Sequence, residues 1–329
     1  MTVLVLGATG FVGRALVPAL LDAGEHVRAA SRGVGRGLPG VEWVRCDVRA
    51  PETLPRALDG IDCVYYLVHS MGEGLEAFRA VERRSAEAVA RAAAESGCRR
   101  IVYLGGVEPA GPPSEHLASR LEVGAILRAG SVPTLELRAA MIVGNGSASW
   151  QILRDLALRL PFMLLPRWLE SKSCPIALPD VVAALIAARL VPLDASAWFD
   201  IPGPDVLSAR EMIMLVGELE GRHIPAVRVP FLTPRLSAGW LKLVSRADYD
   251  VARELVLGLR EDLLPRDRRY WELAGQTPRW SFRDAARDAL ATESRQPGLP
   301  GWLSRREESL MRRLGRRNIP RDAREHPQV

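Results

Sequence analysis

Gly7, Gly10 and Gly13 fall at three-residue spacing inside MTVLVLGATGFVGR, the opening stretch of the chain. Before them, Thr2 to Leu6 is an apolar run rich in β-branched residues, which is strand-like. After them, the apolar periodicity from Phe11 to Leu21 is that of a helix. A strand, a glycine turn and a helix in that order bring the unsatisfied N–H groups and positive dipole end of the helix to the turn, which makes it a phosphate site. Gly7 leaves the strand in a conformation that a Cβ resists, Gly10 lets backbone N–H groups approach a pyrophosphate, and Gly13 lets the helix sit against the strand. Thr9 adds a hydroxyl, and Phe11 and Val12 complete the turn.

Strand-like and helix-like segments then alternate. Glu25 to Ser31 reads as a second strand, Val41 to Val44 as a third and Asp62 to Val68 as a fourth. A long helix from Leu75 to Glu95, stopped at Gly97, leads to a fifth strand from Arg100 to Leu104 that ends in Gly105-Gly106. The alternation predicts an α/β fold, a doubly wound parallel Rossmann sheet with a smaller C-terminal substrate lobe. Ligands of such sheets bind past the carboxyl ends of the strands, so Leu67, Val68 and His69, with Leu104 and Gly105, are expected to border a dinucleotide. The expected division is a nucleotide domain over residues 1–145, its sheet completed by segments near 174–202, and a lobe over 146–295 interleaved with it.

The second strand ends in Ser31-Arg32, and no Asp or Glu lies between Val27 and Pro39. An acidic residue there would take the ribose 2′-OH of NAD, whereas arginine accommodates a 2′-phosphate. Ser31 and Arg32, with Arg36, therefore point to NADP(H) over NAD(H).

The GxxGxxG spacing resembles that of the extended and atypical short-chain dehydrogenase/reductases, not the GxGxxG of ordinary dehydrogenases. Further likenesses are the Asp47-Val48 pair after the third strand, which resembles the adenine-contacting position of the extended enzymes, and the stretches Thr134 to Gly146, Pro175 to Leu190 and Phe199 to Glu220. The resemblance implies an Asp-capped helix after Pro175 and a Ser-capped one after Gly203-Pro204. It also implies a catalytic Ser at the end of the fifth strand and a Tyr-x-x-x-Lys pair on the next helix. Here the Ser position is Gly105 or Gly106, and the Tyr and Lys positions in SEHLASRLEVGAIL are His116 and Arg120. None of the five tyrosines has a lysine four residues on. His116 and Arg120 are one turn apart on one helix face. His116 is the candidate proton donor near neutral pH, and Arg120 the candidate ribose ligand; an exposed histidine beside a solvated arginine is the alternative. The subgroup most resembled comprises bacterial NAD(P)-binding proteins without the usual site. More distant likenesses are to NmrA-type regulators and to the 39-kDa accessory subunit of respiratory complex I.

The net charge is +5, and all but Lys172 and Lys242 of the 44 basic residues are arginine, spread along the chain. No aromatic-interleaved basic patch appears, which argues against nucleic-acid binding. Four cysteines lack metal-ligand spacing and read as core thiols, so no metal is expected. No stretch reaches the length of a membrane span, and the expected location is the cytoplasm. Trp150 to Trp168 and Phe231 to Val244 are apolar, either the wall of a lipophilic pocket or ordinary lobe packing. Beyond the Pro/Gly linker Gln296 to Gly301, Trp302 to Leu314 reads as a basic amphipathic helix that docks on its own domain, on a partner or on an anionic membrane surface, followed by a disordered tail.

Overall fold

The computed structural model describes residues 1–33, 37–69, 75–159, 163–165, 167–228 and 261–294. Arg36, the Phe231 to Val244 stretch and the C-terminal amphipathic helix lie outside them.

Strands β1 (Thr2–Leu6), β2 (His26–Ser31), β3 (Val41–Arg45), β4 (Cys63–Tyr66), β5 (Arg100–Gly106), β6 (Thr134–Ala139) and β7 (Ala197–Asp200) form a seven-stranded parallel sheet. Its order is 7-6-5-4-1-2-3, and every pairing in it is parallel. The chain reverses direction across the sheet between β1 and β4, which opens a crevice at their carboxyl ends.

Period-two alternation sends successive side chains of β1 to opposite faces. Val3 and Val5 join one core with helix α1 (Phe11–Asp22), and Leu4 and Leu6 join another with the short helix α2 (Leu54–Leu58). Helix α3 (Leu75–Glu95) and helix α4 (Glu115–Ala129) cover the second face, and helix α6 (Leu178–Ala188) lies beside α1 on the first. The lobe has a third core, built on helix α5 (Ala148–Arg159), helix α7 (Ala209–Leu219) and helix α8 (Phe282–Ser294). Tyr270 and Trp271 return from the lobe side of the sequence to the α1 face of the sheet.

Strand β6 ends at Ala139, and a two-residue strand, Ile142–Val143, follows it. Helix α7 carries the expected serine cap: Ser208 Oγ accepts from Glu211 N, and Glu211 returns the bond to Ser208 N. The cap expected for α6 is absent. Ala177 occupies that position, and Asp180, in the first turn, accepts instead from the backbone N–H groups of Arg279 and Trp280. The carboxylate ties α6 to a segment 99 residues on, a partner that local sequence does not disclose.

Candidate functional site

A cavity of about 490 Å³ lies over the carboxyl ends of β1, β4, β5 and β6. One side of it is Gly7, Gly10 to Gly13, Leu67 to His69 and Leu104 to Val107. The glycine turn has no room for side chains. Gly7 has φ +88, and a Cβ there would lie 2.8 Å from the Leu67 carbonyl; a Cβ on Gly13 would lie 2.2 Å from Gly7 O. A bare backbone surface before a helix N-terminus is the cradle a pyrophosphate needs, so these residues fit a dinucleotide.

The opposite wall comes from the lobe: Ile152, Leu153 and Leu156 of α5, Ala209, Met212 and Ile213 of α7, and Met141, Leu169 and Leu263 between elements. Trp150 points away, into the lobe core. The α5 stretch thus serves as both pocket wall and packing, with Leu153 shared between the two.

Polar groups gather where β4, α3 and α4 meet. Arg120 Nη2 donates to Leu104 O at 2.5 Å, and Tyr103 OH donates to Arg120 O at 3.0 Å, fixing α4 against β5. The His69 and His116 rings stand edge to face, centroids 4.4 Å apart. His69 Nδ1 lies 3.3 Å from Glu82 Oε1, and Ser119 Oγ donates to Glu82 Oε2 at 3.0 Å. Glu82 and Ser119 are buried, and His69 Nε2 is enclosed without a hydrogen-bond partner. Burial pushes the His69 pKa below its ordinary value, opposed by the bond to Glu82. His116 is pushed down to about 2 by burial first, then by His69 and Arg120. That shift leaves it a neutral imidazole at neutral pH. The reason is tertiary, since β4 and α4 bring a second imidazole and a guanidinium to the same face.

Thr9, Ser31, Arg32, Asp47 and Val48 do not line the cavity. Thr9 is exposed beside the glycine turn, and Arg32 is exposed just past β2, where Ser31 Oγ accepts from Gly33 N. Asp47 accepts from Arg49, and Val48 is turned into the core. Burial raises the Asp47 pKa, but hydrogen bonds from Arg49 and the charges of Arg49 and Arg32 bring it below the usual carboxylate value. Among the described residues no cluster of metal-ligating side chains occurs, and no helix is long and apolar enough to cross a membrane.

Residues 3–126 match the model of the NAD dependent epimerase/dehydratase family. Along 86% of its length the chain is 27% identical to the (4-alkanoyl-5-oxo-2,5-dihydrofuran-3-yl)methyl phosphate reductase of Streptomyces griseus subsp. griseus, covering 95% of that protein. A second relative, the ceramide reductase of Caulobacter vibrioides, is 32% identical over 58% of this chain and 62% of its own length. The fold is that of UDP-glucuronic acid 4-epimerase from Bacillus cereus, solved with NAD: TM-score 0.68 and 15% identity over 88% of this chain and 98% of that one.

Against the short-chain pattern set out above, the chain has the glycine cradle but not the serine, tyrosine and lysine. At Gly105 a Cβ would meet Glu136 Oε1 at 2.7 Å, and at Gly106 it would meet Leu117 Cδ1 at 2.6 Å. A side chain at either position would have to displace a neighbouring side chain. Sequence reasoning passed over Glu82 and Ser119. A signal for Glu82 was available: it lies between Phe78 and Val89 on the buried face of α3, a carboxylate where the periodicity calls for an apolar side chain.

Proposed function

We propose that the chain is an NADP(H)-dependent oxidoreductase of the atypical short-chain type, acting on a small lipophilic carbonyl, enoyl or quinone compound. The observation that carries this reading is the cavity, with a side-chain-free glycine cradle on one side and a largely apolar wall from α5 and α7 on the other. When bound, the nicotinamide supplies or takes a hydride at C4. The chain itself binds the dinucleotide, shields the reacting atoms from water with Ile152, Leu153, Met212 and Ile213, and handles the proton. Two relatives named as reductases, one of an alkanoyl compound and one of ceramide, support the substrate class.

Arg32 supports NADP(H), because it is an exposed guanidinium at the end of β2 with no carboxylate beside it in sequence. Arg32→Ala should weaken NADPH binding about 10-fold or more and NADH binding less than about 2-fold, as expected for one charge-assisted phosphate contact. Equal losses would remove the 2′-phosphate role. The reading as a whole is tested by tryptophan-quenching titrations with NADPH, NADP+ and NADH, followed by NADPH consumption with long-chain 3-oxo esters, enoyl esters and quinones. Four unpaired, buried cysteines suit the cytoplasm as its location.

A second reading is a non-catalytic redox sensor or accessory subunit, akin to NmrA-type regulators or the complex I subunit. Gly105 or Gly106, with His116 and Arg120, in place of Ser, Tyr and Lys favours it. A strong preference for one redox form without turnover would select it.

A further inference from the structure

A hydride reduction of a carbonyl leaves a negative oxygen that must receive a proton, and the residues that usually supply it are missing here. We propose that Glu82, His69 and His116 form a proton relay that ends in the cavity, with His116 as the catalytic residue facing substrate and His69 and Glu82 as positioning residues behind it. The proposal rests on the oxidoreductase reading above.

The geometry carries it. His116 lines the cavity at the family's tyrosine position, and its ring meets the His69 ring at 4.4 Å. His69 has Nδ1 on the Glu82 carboxylate and Nε2 enclosed without a partner, on a ring packed against His116. An unpartnered buried nitrogen is costly, and a small rotation of His116 toward it would satisfy it with an imidazole–imidazole hydrogen bond. Glu82 is buried and anchored on its other oxygen by Ser119. The groups facing the pair are Phe78 of α3, Glu82 of α3, and Ser119 and Arg120 of α4.

In the reducing direction the hydride adds to the carbonyl carbon and the C=O π pair moves to oxygen. The oxygen takes the proton of His116, His116 takes one from His69 Nε2, and His69 Nδ1 takes one from the Glu82 carboxyl. The relay ends with Glu82 ionised and His69 protonated on Nδ1, across the 3.3 Å contact between them, and Glu82 takes a proton from solvent before the next turnover. The oxidising direction runs the same transfers backwards. No imidazolium forms at any point, which suits two buried rings beside Arg120.

The test is histidine side-chain 15N NMR of the full chain, whose five histidines are assigned by single substitution, together with NADPH binding and NADPH-dependent reduction of a long-chain 3-oxo ester. The relay requires that both Glu82→Gln and Ser119→Ala shift the nitrogens of His69 and of His116. His69→Phe, which keeps the ring volume, should lower turnover at saturating NADPH about 100-fold or more. A response confined to His69, or turnover by His69→Phe within about 3-fold of the parent, would overturn the relay. Absence of NADPH binding by the parent protein would instead overturn the oxidoreductase reading, and the NMR result would still decide whether the histidines are coupled.

Discussion

Gly13 sets the distance between α1 and β1. Any Cβ there would stand 2.2 Å from Gly7 O and 2.8 Å from the Ala8 Cα, both backbone atoms that cannot swing aside. Gly13→Ala should therefore push α1 off the strand, weakening NADPH binding at least about 10-fold and lowering the melting temperature by several degrees. Calorimetry with and without NADPH checks both effects, and unchanged binding would mean that the turn is not the phosphate site. This residue was fully legible in the sequence, because strand, glycines and helix are consecutive and their geometry is local. His116 was legible only in position. Its charge state depends on His69, which another strand delivers to it, and on Arg120, whose guanidinium is fastened to the Leu104 carbonyl.

Between elements, the decisive contact is a buried carboxylate. Glu136 of β6 is fully enclosed and held by Arg128 Nε at 2.8 Å and Arg138 Nε at 2.9 Å. Glycines make room for it from two directions, Gly105 on β5 and Gly124 on α4, where added Cβ atoms would come within 2.7 and 2.5 Å of its oxygens. A carboxylate pinned by two arginines cannot yield easily, since displacing it would leave a buried charge unpaired. Gly124→Ala is thus expected to destabilise the protein by roughly 1–3 kcal/mol despite alanine's better helix propensity, measured as a lower urea midpoint with unchanged slope. The same contact means that a side chain at Gly105 would have to displace the Glu136 carboxylate. At this scale the sequence disclosed the strand and helix order, since each run is long and periodic. It did not disclose that one face of α5 lines a cavity, because leucines at helical spacing look alike in a core and in a pocket wall. Nor did it disclose Asp180's distant partners, for the carboxylate sits in the first turn of a helix where capping is the usual assignment.

For the molecule as a whole, buried imidazoles and bound carboxylates should divide the pH dependence of stability into two ranges. His116 has its folded pKa pushed to about 2 from an ordinary 6.5, and the His69 pKa is also lowered. The unfolded chain therefore binds protons that the folded chain refuses, and stability present above about pH 6.5 is lost progressively as the pH falls below it. The carboxylates act lower. At Glu25 burial raises the pKa, but hydrogen bonds from the chain amino group and Arg189 bring it below the ordinary value. At Asp62 the bond from Thr2 N, partly offset by burial and aided by Arg99, does the same. Their contribution is present above about pH 4 and lost as the pH falls through their lowered values. Asp200 works the other way, because burial raises its pKa and its protonation favours the folded state as the pH drops. Two lowered carboxylates at the chain's amino end, joined by Glu211 and Asp267, outnumber it. Urea midpoints should thus be level between pH 7 and 8, decline from about pH 6.5, and fall more steeply below about pH 4. His116→Phe should flatten the first decline, with His69 leaving a residue of it, and should leave the acid limb in place. A first decline unchanged in that variant would mean that His116 titrates freely, in which case its ring is not enclosed by His69 and Arg120.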